Sequence, residues 1–187
     1  AAAKGGQLRI LQWLNGRDCP WNKRTCWGAA NGGHLEVLRW LREEELEEGC
    51  PWDCRTSIEA ARGGHLKVLQ WLREDGCPWD EWTCSAAAGG GHLEVLQWAK
   101  KEGCPWDCST CIRAAGSGHL EVLRWAREEG CPWHEWTLEG AVEKKHLEVL
   151  RWAIENGCPY DKWKIRNYIR NLDFLQWFEG SNEIASY

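Results

Sequence analysis

The chain has 187 residues with 11 cysteines, 16 tryptophans, no methionine and a net charge of −5. That balance excludes a protein that tracks phosphates along nucleic acid, which needs a basic stripe, and it opposes docking on an anionic membrane. No apolar run approaches the roughly 18–20 residues that cross a bilayer, so no direct membrane insertion is expected.

In chain order, residues 1–14 read AAAKGGQLRILQWL, and Ala1-Ala2-Ala3 match Ala86-Ala87-Ala88 further on. Residues 1–18 are therefore expected to be part of a repeat rather than a secretory leader. Cys-Pro-Trp then begins at Cys19, Cys50, Cys77, Cys104 and Cys131, and Cys-Pro-Tyr at Cys158, at intervals of 31, 27, 27, 27 and 27. A second landmark, His-Leu-Glu-Val-Leu, begins at His34, His92, His119 and His146, with Lys67 in place of Glu after His65. Self-similarity at a fixed period marks a stacked array whose units touch only their neighbours. The expected units are residues 19–49, 50–76, 77–103, 104–130 and 131–157, with 158–187 as a C-terminal cap and tail, all in one array over 1–187.

Within one unit, Gly103-Cys104-Pro105-Trp106 reads as a turn, because Pro105 has no N–H to give a helix. Asp107 is placed to cap a first helix, as Asn22, Asp53, Asp80 and Asp161 are elsewhere. Thr25, Thr56, Thr83, Thr110 and Thr137 recur three residues later, where a hydroxyl can cap a backbone N–H. The first helix, for example 81–89, is short and alanine-rich, which lets neighbouring units approach closely. Gly90-Gly91 break it and permit positive φ. A second helix starts near His92. Leu93, Leu96 and Ala99 recur at helical spacing, with Val95 and Trp98 widening the apolar stripe, and Gly103 ends it.

The run Ala87-Ala88-Gly89-Gly90-Gly91-His92-Leu93-Glu94-Val95-Leu96, followed by Gly103, resembles the ankyrin repeat. The likeness extends over residues 1–178. Two departures stand out. Trp82-Thr83-Cys84-Ser85 replaces the Thr-Pro-Leu-His entry of that family. The 27-residue period is also shorter than the family's, and Cys-Pro-Trp-Asp leaves no room for its β-hairpin finger. The expected fold is thus all-α, an α-solenoid of stacked helix–turn–helix ankyrin-like repeats.

Irregularities sit at defined places. After Trp40 the chain reads LREEELEEG, four residues longer than its equivalents. About one extra helical turn, with Glu43, Glu44, Glu45, Glu47 and Glu48 as an acidic knob, is expected there. In the last unit Lys162, Lys164, Arg166, Asn167 and Arg170 make the first helix polar, as a terminal unit requires.

The residues that look chemical are mostly periodic. Equivalent cysteines lie one unit apart, about 8–10 Å, beyond the roughly 7 Å between Cα atoms that a disulfide spans. They are read as reduced and buried, which places the protein inside cells, in cytoplasm or an organelle. Cys104, Cys108 and Cys111 have metal-like spacing but no fourth local ligand, so packing is the preferred reading. His34, His65, His92, His119 and His146 are too far apart to share an ion and are expected to bond turn backbone groups across units. Two tryptophan ladders, in the turns and in the second helices, supply apolar area to thin units. No catalytic constellation and no cofactor site is present in the sequence.

Positions that vary are candidates for recognition. In the 77–103 unit these are Glu81, Trp82, Ser85, Ala86 and Gly89. Ten residues before each histidine of the series stand Arg24, Arg55, Trp82, Ser109 and Trp136, with Trp163 equivalent in the cap. Trp27 occupies another variable position. Exposed tryptophan and arginine dominate interface energetics. Arg24, Trp27, Arg55, Trp82, Trp136 and Trp163 are therefore read as partner-facing, with local packing as the competing reading. The expected function is a non-enzymatic protein–protein scaffold or adaptor, or a subunit of a larger assembly. The alternative is a metal- or pigment-binding module built on its cysteines and tryptophans.

Overall fold

A computed structural model describes residues 1–15, 22–43 and 51–184. Every regular element among them is helical, and none is a strand. Contacts divide the chain into two compact units, Ala1–Trp106 and Asp107–Tyr187. The first holds α1 (Leu8–Asn15), then the pairs α2 (Lys23–Asn31) and α3 (Leu35–Glu43), α4 (Cys54–Arg62) and α5 (Leu66–Glu74), and α6 (Glu81–Gly89) and α7 (Leu93–Lys101). The second holds α8 (Cys108–Gly116) and α9 (Leu120–Glu128), then a 3-10 turn Glu135–Leu138 leading into α10 (Glu139–Lys144), α11 (Leu147–Glu155), α12 (Lys162–Tyr168) and α13 (Leu172–Ile184). The expected acidic knob at Glu43–Glu48 and the turns at Cys19 and Cys50 fall outside the described residues and side chains.

The local signals act as the sequence implies. Asn22, Asp53, Asp80, Asp107 and Asp161 each accept the N–H two residues on, at 3.0, 3.1, 3.1, 2.9 and 2.8 Å. His134 substitutes with Nδ1 at 3.2 Å. The Thr83 and Thr137 hydroxyls close the capping box by accepting the N–H of Asp80 and His134, at 3.5 and 2.9 Å. The Thr56 and Thr110 hydroxyls are buried without a partner. Second helices end on Gly76, Gly103, Gly130 and Gly157, with φ of 78–83°. The next cysteine N–H then bonds back to Leu72, Ala99, Ala126 or Ala153 at 2.8–2.9 Å, a Schellman closure that needs the left-handed glycine.

First helices pack on first helices, α2 along α4 and α4 along α6, and in the other unit α8 along α10 and α10 along α12. Ala60, Ala61, Ala87, Ala88, Ala114 and Ala115 are fully buried at these contacts. Gly116 and Gly140 bring α8 and α10 so close that a Cβ on Gly140 would lie 2.9 Å from the Gly116 Cα. Second helices bury Val, Leu and Ala or Leu: Val68, Leu69 and Leu72 in α5; Val95, Leu96 and Ala99 in α7. Each fully buried leucine contributes about 1.5–3 kcal/mol. Ser85 and Ala86, expected to vary because they are free, are instead buried. Their equivalents in other pairs include Trp27, Ile58 and Glu59, which are only half-buried, so only in α6 are both positions closed off.

The histidines lock one pair to the pair before it. His34, His65 and His92 direct Nε2 to the carbonyls of Lys4, Asn31 and Arg62 at 2.9, 2.9 and 3.0 Å. A carbonyl only accepts, so Nε2 carries the proton. Each ring lies over a glycine of the preceding pair: a Cβ on Gly6, Gly33 or Gly64 would come within 2.5 Å of Nδ1 of His34, His65 or His92. Those glycines also have φ of 67–76°. Glycine is thus required twice at this position. The exception explains itself. Lys145 has φ 60° in the same place, and in the last unit Asn171 stands where the histidine would be, so no imidazole descends on it. Asn171 accepts the Phe174 N–H at 2.8 Å instead. His146 also departs: its Nε2 is buried without a partner. Lys144 puts a Cβ where Gly32, Gly63 and Gly90 leave space for the ring of their own histidine.

Alanine substitutions separate the two requirements. Gly76→Ala (φ 78°, nothing within 4 Å of the new Cβ) costs about 1 kcal/mol from the left-handed backbone alone. Gly64→Ala adds the His92 clash and costs about 2–4 kcal/mol. Denaturant unfolding checks this, and equal losses would mean that the histidine ring does not press on that position. Lys145→Gly raises stability, by up to about 1 kcal/mol.

Candidate functional site

The six candidate side chains sit in different settings. Arg24, Arg55, Trp82, Trp136 and Trp163 occupy the second residue after the N-cap, whose own N–H is taken by the capping side chain. The cap fixes the backbone there and turns the side chain outward. Trp82, Trp136 and Trp163 are 49, 56 and 66% exposed, although Trp82 sits on a helix whose Cys84, Ala86, Ala87 and Ala88 are buried. The His134 ring lies 4.5 Å from that of Trp136 and orients it. Arg24 is exposed beside an open groove that Ala1–Ala3, Leu11, Leu14 and Gly28 also line.

Trp27 and Arg55 are brought together. Trp27 is half-buried, and its indole N–H donates to Asp53 Oδ1 at 2.9 Å. The Arg55 guanidinium lies 4.5 Å above the Trp27 ring and 3.7 Å from Glu59. This cluster ties α2 to α4, with the outer edge of Arg55 exposed.

The tryptophan ladders form a mixed stack that the sequence reading did not anticipate. Turn and helix rings of one pair meet edge to face or tilted: Trp52 on Trp71 at 5.6 Å, Trp79 on Trp98 at 5.8 Å, Trp133 on Trp152 at 6.0 Å. A cation from the preceding second helix covers each turn ring: Arg42 over Trp52 at 4.1 Å, Arg73 over Trp79 at 4.0 Å, Lys100 over Trp106 at 4.2 Å and Arg127 over Trp133 at 4.4 Å. Cations therefore occupy ring faces that a planar pigment would need. The signal was present as a basic residue, Arg42, Arg73, Lys100 or Arg127, seven places after Leu35, Leu66, Leu93 and Leu120; after Leu147 the same place holds Ile154, and the next turn ring is Tyr160 rather than tryptophan.

The cysteines serve the turns. The described cysteines carry free thiols. Cys77, Cys104 and Cys131 point Sγ at the carbonyls of Asp53, Asp80 and Asp107, at 3.6, 3.5 and 3.3 Å, joining each turn to the previous N-cap. Burial pushes the Cys77 thiol up to about 11, against hydrogen bonding from Ser57, and burial pushes Cys158 up to about 12. Cys111 hydrogen-bonds to Cys131, which raises Cys111 and lowers Cys131. No group of three or more possible metal ligands gathers among the described residues.

Neither the family models nor the curated sequences give a match to this chain. Among solved structures, its fold is similar to the human ASB11 ankyrin repeat domain, with a TM-score of 0.61 and 18% identity over 84% of this chain and 82% of that one. The fold is thus ankyrin-like, all-α and built of stacked helix–turn–helix units. Among the described residues no helix is long and apolar enough to cross a membrane.

The thiols make stability depend on alkaline pH. The folded value of Cys77 lies above its ordinary 9.0, so above that pH the unfolded chain loses a proton that the folded chain keeps. The contribution is intact below pH 9 and is lost as pH rises towards about 11, some 2–3 kcal/mol in all. Denaturation midpoints followed from pH 8 to 11 should fall, and the fall should be shallower in Cys77→Ala.

Proposed function

We propose that the protein is a non-enzymatic scaffold that binds a protein partner across the N-terminal ends of its first helices. Arg24, Arg55, Trp82, Trp136 and Trp163 make the principal contacts, with Trp27 holding Arg55 in place. The observation that carries this reading is the exposure of Trp82, Trp136 and Trp163, the most expensive side chains to leave in water, at one repeated position. Repeat arrays keep stacking positions constant and use variable ones for binding. The partner is a protein rather than nucleic acid, since the chain is acidic, with a net charge of −5. Thiols held protonated and spent on turn carbonyls suit a reducing, intracellular setting. Residues 1–187 act in this reading as a single array of the units set out above.

The test is a double substitution. Trp82→Ala with Trp136→Ala should leave far-UV circular dichroism unchanged and shift Tm by less than about 2 °C, because neither ring is in the core. The same variant should lose proteins that the unmodified chain retains from native lysate, scored by quantitative mass spectrometry. A large fall in Tm, or an undiminished set of captured proteins, overturns the assignment.

A further inference from the structure

A second surface runs between successive second helices, away from the first-helix ends. Equivalent grooves occur in the two units. That of the first is lined by Gln70, Arg73, Glu74, Trp98 and Glu102, and that of the second by Arg124, Arg127, Glu128, Trp133, Trp152 and Asn156. Gln70, Arg73, Glu74, Trp98 and Glu102 are each 54 residues before Arg124, Arg127, Glu128, Trp152 and Asn156. The frame of arginine, glutamate and tryptophan is constant. Two positions change, Gln70 to Arg124 and Glu102 to Asn156. The side chains of the first groove carry one positive and two negative charges, and those of the second carry two positive and one negative.

One pair earlier the structure shows what an acidic residue at the position of Glu102 can do. Asp75 is the equivalent there, at the C-cap of α5, and its carboxylate pairs with Arg42 at 3.2 Å. Arg42 corresponds to Arg127. In that pair the chain seats a carboxylate of its own C-cap on the arginine; in the first groove Glu102 lines the pocket beside Arg73, whose guanidinium bonds the Cys77 carbonyl. At Asn156 the carboxylate is gone, and the amide turns back to donate to the Trp152 carbonyl at 2.8 Å. Arg127 remains, held over Trp133 and hydrogen-bonded to the Cys131 carbonyl, so it is already oriented. Arg124 adds a second guanidinium, exposed and 5.7 Å from the Trp152 ring. Glu128 is the one carboxylate at this edge, and its counterpart Glu74 is present in the other groove too.

We propose that the groove of Arg124, Arg127, Trp152 and Asn156 receives an aspartate or glutamate side chain of a partner protein. The incoming carboxylate takes the place that Asp75 takes on Arg42, and the flanking apolar part of the partner lies on Trp152. Arginine presents a planar fork suited to a carboxylate, and a half-buried pair with fixed geometry is stronger than an open surface pair. A polyphosphate strand is disfavoured because Glu128 sits at the groove edge. The site is independent of Trp82, Trp136 and Trp163.

The probe is a fluorescein-labelled peptide of alternating glutamate and leucine, with its glutamine counterpart and oligothymidylate as controls. Anisotropy at low salt reads affinity, and Arg Nε–H resonances read location. The acidic peptide should bind, shift the Arg124 and Arg127 signals, and bind about tenfold more weakly to Arg124→Gln and to Asn156→Asp, which restores the internal carboxylate. Trp136→Ala should bind it as the unmodified chain does, which separates this site from the one proposed above. Gln70→Arg with Glu102→Asn should create a second binding groove. Equal affinity for the glutamine peptide, unchanged binding by Asn156→Asp, or stronger binding of oligothymidylate would each overturn the proposal.

Discussion

The stack depends on one contact: an imidazole laid on a left-handed glycine of the preceding pair with its Nε2 on that pair's turn carbonyl, as His65 does on Gly33 and Asn31. The contact fixes spacing and rotation together. The ring can approach only where there is no Cβ, and its hydrogen bond is met at only one rotation of the next pair. Other features follow from that register. The turn cysteine reaches the previous N-cap carbonyl, the turn tryptophan reaches the helix tryptophan, and the basic residue before it covers its face. At His146 the ring still lies over Gly118 but its hydrogen bond is missing, and local structure differs there too. The 131–157 segment has Lys144 and Lys145 for two glycines, a buried unpaired His146 nitrogen and a first helix begun by a 3-10 turn.

Once register is held by constant residues, the remaining positions divide by geometry. The N-cap directs the residue two places on toward solvent, and that residue is arginine in some pairs and tryptophan in others. Between second helices, a constant arginine–tryptophan frame carries two positions whose charge changes. Both are ways for an array of near-identical units to make one part of itself unlike the rest without disturbing the stack.

Much of the fold was legible in the sequence because its determinants are local. Asp80 and Gly103 mark the ends of helices by short-range chemistry, and α6 runs from Glu81 to Gly89 as its pattern implies. The histidine contact was legible as a role, a bond to turn backbone across units, but not as a ring seated on glycine. What the sequence could not distinguish was a variable position that is exposed from one that is merely tolerant. Trp82 and Ser85 vary alike, yet Trp82 projects into solvent and Ser85 is buried, because only the packing of α6 on its neighbour separates them. The cations over the turn tryptophans, and the missing carboxylate at Asn156, arise between residues tens of positions apart and emerge only once register is known.

The stacking contact is tested most directly by the tautomer and ordering of its imidazoles, which nitrogen-15 NMR of the histidine side chains reports. His34, His65 and His92 should each show a single form with the proton on Nε2, protected from exchange and coupled to the carbonyl of Lys4, Asn31 or Arg62. Rings that interconvert between tautomers, or that carry the proton on Nδ1 alone, would mean that the pairs are held in register by something else.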